Sequence, residues 1–251
     1  MKSIPCDRCD ARCCRTYIVP INGVDIQRLA AFLSTPLDDW CTLEPLSPTI
    51  EEYGYFSFRL TGEGRFIVCI KRENGACVFF RRSTPHAACG IHDARPGMCR
   101  CYPVTFCSGK AEHTDGCICP ERWELDKTDE AVFSELYVRY NAAFASFKEI
   151  TDIWEKSYRN EYILSGRMTG DHKHDSTVFL EYLRADLHHV AEVHATDRAR
   201  YSTESPDTSG CPTTADVRSA SFMLMPIPAP RSAQKTGATD RELSLNIPAA
   251  R

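Results

Sequence analysis

Cysteine is the residue type in this chain that could do chemistry, and its positions are unevenly distributed. Thirteen of the fourteen cysteines lie between Cys6 and Cys119, and Cys211 is the only one beyond them. Such a density is typical of secreted domains held together by disulfides, or of domains whose thiolates bind a metal ion. Both chemistries therefore have to be weighed for the first half of the chain.

The N-terminal sequence favours metal binding over disulfides. It reads MKSIPCDRCD, with no apolar segment and no small-residue cleavage site, and so does not predict a secretory signal peptide. Thiols in a reducing compartment stay reduced or bind metal. We therefore expect a cytoplasmic protein whose thiolates hold a cation, and a disulfide-held domain or redox buffer is the competing hypothesis.

The composition argues against several other classes of protein. Thirty Lys and Arg residues face 34 Asp and Glu, for a formal net charge of −4, which disfavours a broad basic surface for nucleic acid or anionic lipid. No apolar run approaches the roughly 18–20 residues of a membrane helix, and no nucleotide-binding loop or nucleophile elbow is present. We expect a metal ion as partner, and neither nucleic acid nor membrane. The sequence leaves enzymatic activity, substrate and protein partners undefined.

The first cysteine group has the spacing C-x2-C-x3-C-C, formed by Cys6, Cys9, Cys13 and Cys14. A C-x2-C pair can direct both sulfurs to one ion from a single tight turn. Adjacent residues such as Cys13 and Cys14 point in different directions in most backbone conformations. They would therefore serve two metal centres, or two corners of one cluster, more naturally than one small ion.

The second cysteine group includes a turn of sequence RPGMCR, in which Arg95 and Arg100 lie close to Cys99. A centre with four thiolates carries a net negative charge. A nearby guanidinium offsets this charge and can donate hydrogen bonds to sulfur. We therefore predict that Arg95 and Arg100 contact the bound group. The cysteines of this second half are Cys77, Cys89, Cys99, Cys101, Cys107, Cys117 and Cys119.

These motifs together resemble a known family. Residues 6–14, CVFF from residue 77, CGIH from residue 89 and RPGMCRCYP from residue 95 resemble, in order, the motifs of the YkgJ-type cysteine-cluster (CxxCxxCC) family, described as a zinc- or iron-chelating domain. The resemblance covers about residues 4–123 and includes the stretch DIQRLAAFL. Cys119 is preferred to Cys117 because Pro120 follows it, as in the family's late Cys-Pro. The ligands that the resemblance implies are Cys6, Cys9, Cys13, Cys14, Cys77, Cys89, Cys99 and Cys119.

Several cysteines exceed the family pattern. Cys41 and Cys69 are expected to be small buried hydrophobic residues rather than ligands. Cys101, Cys107 and Cys117 stay open as replacements for a ligand of the second group. We expect His92 to be a structural histidine before a ligand.

The sulfur-only donor set fits zinc or iron and argues against Mg²⁺ or Ca²⁺. Because only one C-x2-C knuckle is present, where a zinc ribbon usually has two, the spacing leans towards an iron–sulfur cluster. One branch of the family is associated with lysine N-methylation of flagellin. That resemblance implies an alternative function, an iron–sulfur-dependent protein lysine N-methyltransferase with S-adenosylmethionine as cofactor.

The elements around the cysteines predict an α+β fold in three parts. Residues 1–126 form a small irregular cysteine-rich domain with a short antiparallel sheet, residues 127–196 a helical segment packed on it, and residues 197–251 a disordered tail. Hydrophobic spacing predicts a helix over 24–33, followed by a further turn in LDDWC. Strands over 53–60 and 65–72 flank the turn residues TGEG, a third strand covers 76–80, and residues 81–126 are irregular.

Two amphipathic helices are predicted in the second part. One begins near Thr128 and covers about 25–30 residues, and the other follows Asp175 or Ser176. The run DHKHD over 171–175 is expected to be a helix entry rather than a metal site. The tail contains few large apolar residues. Its segment SFMLMPIPAP (221–230) has the composition of a docking motif, although a solvated apolar patch is the simpler interpretation.

Overall fold

The structure of the chain is a computed structural model. It describes residues 11–46, 57–82, 87–107, 110–114, 116–119, 124–201 and 227–228. Cys6, Cys9 and Cys211 lie outside these ranges.

The described elements alternate between short helices and short strands before the long helices begin. In the first part they are α1 (Arg12–Thr16), β1 (Tyr17–Ile18), α2 (Gly23–Leu33), α3 (Leu37–Trp40), β2 (Cys41–Pro45), β3 (Phe58–Arg59), β4 (Arg65–Ile70), β5 (Arg72–Glu73), β6 (Ala76–Cys77), β7 (Phe80–Arg82), β8 (Ala87–Cys89), α4 (Gly97–Cys101), β9 (Val104–Cys107) and β10 (Lys110–His113). They continue with α5 (Lys127–Ile153), a π-helical turn (Trp154–Tyr158), α6 (Arg159–Leu164), α7 (His172–Tyr201) and β11 (Ile227–Pro228).

Helix α2 forms where the sequence predicts it, because both its cap and its apolar face are present. The Asn22 side chain accepts the N–H of Asp25 at 3.0 Å, and the Asp25 carboxylate accepts the N–H of Asn22 at 3.4 Å. This reciprocal pair satisfies two of the N–H groups that a helix start leaves without partners. Ile26, Leu29 and Leu33 share one face and are buried.

The main sheet has the strand order β2–β4–β3 and is antiparallel throughout. The predicted hairpin between 53–60 and 65–72 is confirmed in its described part, with Phe58 opposite Phe66 and Arg59 opposite Arg65. Strand β2 was not predicted, since Cys41 was expected near a helix end. It pairs with the other edge of β4, with Cys41 opposite Ile70. Strand β4 is therefore central, and it is buried on both faces from Ile67 to Ile70.

The third strand predicted over 76–80 is confirmed at Ala76–Cys77, but it does not continue to residue 80. Asn74 and Gly75 both have positive φ, 49° and 78°, and form a two-residue turn of the kind that closes tight hairpins. Residues 76–77 therefore fold back on β5 rather than on β4. Phe80 then begins a separate hairpin, β7–β8.

The region 81–126 is more regular than predicted. It contains the second strand of the β7–β8 hairpin, helix α4, and the β9–β10 hairpin, in which Val104 lies opposite His113. The ordered backbone around Cys99 is therefore supported by secondary structure.

The long helices follow the predicted pattern. Asp126 caps α5 by accepting the N–H groups of Thr128 and Asp129, both at 2.9 Å. The helix continues through the π-helical turn into α6, and Gly166 and Gly170, both at positive φ, lie between α6 and α7. Helix α7 begins at His172, slightly earlier than predicted. Among the helices that the structure describes, none combines the length and apolarity needed to cross a membrane.

The long helices and the main sheet share one hydrophobic core. The rings of Phe58 and Phe179 stack with centroids 4.0 Å apart, and the indole N–H of Trp154 donates to the carbonyl of Arg59 at 2.9 Å. A Cβ atom on Gly23 would lie 2.6 Å from Leu187 Cδ2, so α2 approaches α7 closely. These contacts make the described part an α+β structure whose helices pack on the cysteine-rich part.

The predicted disordered tail needs correction at two places. Residues 197–201 continue α7 as helix, and Ile227–Pro228 form β11, which pairs with β1. The rest of the predicted tail, 202–226 and 229–251, lies outside the described residues.

Candidate metal centre

Helix α1 positions the first cysteines. It is a single turn that begins after Ala11, a residue with left-handed φ of 53°, and ends where the Tyr17 N–H bonds to the carbonyl of Cys13. A hydrogen bond with the Cys14 thiol, followed by burial, raises the pKa of the Cys13 thiol. Cys13 and Cys14 are therefore neighbours in space as well as in sequence.

Arg72 connects α1 to the hairpin that carries Cys77, a role that the sequence analysis missed. Its guanidinium donates to the carbonyl of Arg15 at 2.8 Å and also to the carbonyls of Tyr17 and Gly75. Burial lowers the pKa of Arg72, whereas the neighbouring Cys77, Glu44 and Cys14 raise it. The Arg72 guanidinium thus links the backbone that follows Cys13 and Cys14 to the turn that precedes Cys77.

The two small hairpins position Cys77 and Cys89. Cys77 lies in β6, and Cys89 lies in β8 opposite Phe80. The N–H of Gly90 donates to the carbonyl of Phe79 at 2.8 Å, which extends the second hairpin by one bond. Phe79 and Phe80 come soon after Cys77 in the sequence, so Cys77 and Cys89 are brought to the same region.

Cys99 lies in α4, which α2 holds in place. The Asp25 carboxylate accepts the N–H of Gly97 at 2.9 Å and the guanidinium of Arg28 at 2.6 Å. The same guanidinium donates to the carbonyl of Arg95 at 2.7 Å. Asp25 and Arg28 were not singled out from the sequence, although both belong to the DIQR stretch that carries the family resemblance.

One cavity of about 80 Å³ collects five of the predicted ligands. Arg95, one of the two arginines predicted near the bound group, also lines it. Apolar side chains, including Val19, Ile70, Ile91 and Met98, form much of the remaining wall. The cysteines of this group, which we call the cavity cysteines, are Cys13, Cys14, Cys77, Cys89 and Cys99.

The electrostatics agree with this proximity. Burial raises the pKa of Cys77 to about 12, with further increases from Cys89 and Cys13 and a decrease from Arg72. Burial also raises the pKa of Cys99, again with Cys13, Cys77 and Cys89 adding to the increase and Arg95 opposing it. Without a cation these thiols are neutral. A bound cation would favour their thiolate form.

The thiols do not stand in a finished coordination geometry. Within the described ranges, no three His, Cys, Asp or Glu side chains are grouped so that they could hold a metal ion. Cys6 and Cys9, which the sequence assigns to the same centre, are outside those ranges. The donor chemistry of the cavity fits a thiophilic metal.

The remaining predicted site residues lie beside the cavity rather than in its wall. The N–H groups of Ile118 and Cys119 donate to the Tyr102 hydroxyl at 2.9 and 3.2 Å, and Tyr102 itself lines the cavity. Arg100 donates to the carbonyl of Asp93 at 3.4 Å and is not among the lining residues. The structure therefore places Arg95 in the cavity wall. It places the backbone of Cys119 against Tyr102, which is itself part of that wall.

The additional cysteines separate into two kinds. Cys41 and Cys69 are buried in the main sheet, as expected for small hydrophobic residues. Cys101 is also buried and its pKa is raised to about 12 by burial, but it does not line the cavity. Burial and Tyr17 raise the pKa of the Tyr102 hydroxyl. Cys117 adds a smaller increase, so it lies near Tyr102. The backbone of Cys107 lies in β9.

The histidine-containing candidates have structural contacts. His92 faces Asp93, with Nδ1 and Oδ1 3.4 Å apart. In the DHKHD run, Asp171 caps α7 by accepting the N–H of His174 at 2.8 Å. Asp175 is fully buried and accepts the N–H groups of Thr169 and Gly170 at 2.8 and 3.0 Å. The run therefore serves as a helix entry.

The fold and the cavity define the first half of the chain as an α+β domain built around clustered cysteines. Residues 5–122 match the family model CxxCxxCC, whose description is "putative zinc- or iron-chelating domain". The first half of the chain is therefore similar to the CxxCxxCC family over these residues. Comparisons with curated proteins and with solved structures gave no match.

Proposed function

We propose that the domain binds a zinc or iron centre through the thiolates of the cavity cysteines. The observation that carries the proposal is that five cysteines, from four separate segments of the sequence, line a single cavity. Thiolates are the ligands that Zn²⁺ and iron–sulfur clusters prefer. Binding would then couple metal affinity to folding, because the ligands lie on four separate elements.

We assign Cys6, Cys9 and Cys119 to the same centre as the remaining ligands. Cys6 and Cys9 precede Ala11, which lines the cavity, by only a few residues in sequence. Cys119 is held by its backbone at Tyr102, which lines the cavity. Arg95 lines the cavity and would offset part of the thiolate charge. Arg100 lies next to Cys99 on α4 and would add positive charge from outside the cavity wall.

A zinc ion and an iron–sulfur cluster, bound by the same thiolates, would give the domain different properties. A zinc ion would supply a structural cross-link between α1, the hairpins and α4. An iron–sulfur cluster would supply a redox centre whose potential depends on burial and on hydrogen bonds to sulfur. The irregular spacing of the cysteines favours the cluster, and the apolar wall of the cavity is compatible with either.

The deciding experiment is metal analysis of the full chain purified without oxygen. Zinc, iron and acid-labile sulfide are quantified, and the absorbance spectrum is recorded. Stoichiometric iron with sulfide and a brown colour indicates a cluster, and stoichiometric zinc in a colourless protein indicates a zinc centre. A folded, fully reduced protein that contains neither metal would overturn the proposal.

A matched pair of serine variants tests the role of the cavity. Cys77 and Cys69 both lie in strands, but only Cys77 lines the cavity. We expect Cys77→Ser to lower the bound metal well below that of the wild type, and Cys69→Ser to retain it. Equal metal content in the two variants would contradict the assignment of Cys77.

No contact in the described part of the chain specifically favours the methyltransferase alternative. It depends on the family resemblance alone. Calorimetric titration of the metal-loaded protein with S-adenosylmethionine distinguishes the two, and we expect no binding.

A further inference from the structure

The extended backbone that begins with β1, after Cys13 and Cys14, has two edges, and β4 pairs with only one of them. The carbonyl of Val19 accepts the N–H of Ile70 at 2.9 Å, and the N–H of Ile21 donates to the carbonyl of Val68 at 3.0 Å. Backbone groups alternate in direction along an extended chain. The N–H and C=O of Ile18 therefore face the opposite edge.

That opposite edge is where the C-terminal segment lies. Ile18 is in register with Ile227, and Tyr17 with Pro228, in an antiparallel pair. Ile18 is only 4% exposed, so its backbone groups need partners within the protein. Pairing with Ile227 supplies both.

The sequence of the segment suits it to one edge and no other. Prolines occupy every second position, at 226, 228 and 230. In the described pair Ile227 faces β1 and keeps its N–H donor, whereas Pro228 faces the other edge and has no N–H to offer there. Such a strand can cap a sheet edge without offering a new edge to further strands.

We propose that the segment around Ile227–Pro228 is a built-in capping strand, which docks through Ile227 on the Ile18 edge and holds the backbone next to the cavity. Tyr17, whose register partner is Pro228, lines the cavity, and α1 with Cys13 and Cys14 ends immediately before it. Of the apolar run SFMLMPIPAP, the described residues Ile227 and Pro228 thus have a partner strand in their own chain. This backbone pairing does not depend on a metal in the cavity.

Hydrogen exchange of the full chain, measured at the Ile18 amide, tests the pairing. Ile227→Pro removes the backbone donor that faces β1 in the described pair, whereas Pro228→Ala changes the residue that faces away. We expect Ile227→Pro to speed exchange at Ile18 by about tenfold, the effect of losing roughly 1.4 kcal/mol of local protection. Pro228→Ala should exchange like the wild type.

Two results would overturn the proposal. One is equal Ile18 exchange in the wild type and in Ile227→Pro. The other is an equal acceleration in Ile227→Pro and Pro228→Ala, which would mean that no particular edge of the segment is recognised. Exchange in α5, away from the strand, serves as the internal control for global unfolding.

A truncated chain provides the second measurement. A protein ending at Ala220 should lose the Ile18 protection, and a synthetic peptide of residues 221–232 at about 1 mM should restore it. A peptide of the same composition with its prolines moved to the odd positions should fail, because it lacks the donor at 227. Restoration by both peptides would contradict the edge-specific docking.

Discussion

The carboxylate of Asp25 accepts the backbone N–H of Gly97 at 2.9 Å, across 72 residues of sequence. Asp25 lies in the first turn of α2, and Gly97 opens the short helix that carries Cys99. A buried carboxylate with charged and backbone donors is a strong local cross-link. It fixes the helix of Cys99 relative to the rest of the core.

Replacing Asp25 by alanine should therefore destabilise the domain. Asp25 is 2% exposed, and its removal leaves the Gly97 N–H and the Arg28 guanidinium without this acceptor. We expect Asp25→Ala to lower the free energy of unfolding by about 2–4 kcal/mol. Urea unfolding of the metal-loaded protein measures this change.

Asp38→Ala is the matched control for this prediction. Asp38 lies in the first turn of α3 and is exposed, so its loss should change the free energy of unfolding by no more than about 0.5 kcal/mol. Similar effects of the two substitutions would show that the Asp25 contacts contribute little.

The same carboxyl predicts a pH dependence with a definite sign. Burial raises the pKa of Asp25 above its ordinary 3.8, against smaller decreases from Gly97, Arg28 and Asn22. The native state then binds the proton more tightly than the unfolded chain does. Across the window from 3.8 to the raised native value, the free energy of unfolding falls as pH rises.

Asp25→Asn removes this titration, so the comparison isolates it. We expect the stability of the wild type minus that of Asp25→Asn to be largest below about pH 4 and to decline as pH increases through the window. Urea unfolding of both proteins over a pH series, under the same metal conditions, gives the difference. A difference that grows with pH would contradict a raised pKa.

The sequence predicted the elements whose signals are local. Helix α2 and the hairpin before Ile70 follow from a cap, apolar spacing and turn residues that lie within a few positions of one another. Strand β2 was missed because its pairing with β4 crosses the intervening chain, and nothing within residues 41–45 reveals a partner. The capping strand at Ile227 was missed for the same reason.

Packing against a neighbouring helix explains why the RPGMCR turn has a glycine at position 97. A Cβ atom at this position would overlap the ring of Tyr140, on α5. We expect Gly97→Ala to push α4 away from α5 and to lower the free energy of unfolding by about 1–3 kcal/mol, as overpacking does in other cores. The thermal midpoint of the metal-loaded protein measures the loss.

Gly62→Ala is the control, since a Cβ atom there would meet nothing within 4 Å. This variant should unfold at the temperature of the wild type or slightly above it, because alanine lowers the entropy of the unfolded chain. If Gly97→Ala also unfolds like the wild type, the close approach to Tyr140 does not constrain the turn.

The candidate site was only partly readable from the sequence. Cysteine spacing marked the ligands, because the residue type itself carries the chemistry. The residues that hold the ligands in place, Arg72 and Arg28, act through backbone carbonyls, and an arginine in the sequence does not reveal which carbonyls it will reach. Arg95, adjacent to the Cys99 turn, was found because proximity in sequence and in space coincide there.

Arg72 provides the sharpest test of how the cavity is assembled. Its guanidinium reaches carbonyls on both sides of the cavity cysteines, including those of Arg15, Tyr17 and Gly75. Lysine keeps the positive charge but has no planar fork of donors, so it cannot bridge these carbonyls in the same way. We expect Arg72→Lys to lower the free energy of unfolding by about 1.5–3 kcal/mol and to speed metal release to a chelator.

Arg139→Lys is the control, because Arg139 lies on the exposed surface of α5 and pairs only with Glu135 among the ion pairs described. Metal release from this variant should match that of the wild type. If Arg72→Lys also released metal at the rate of the wild type, the positive charge near Cys77 would suffice. The carbonyl bridge between α1 and the β5–β6 hairpin would then have no part in holding the centre.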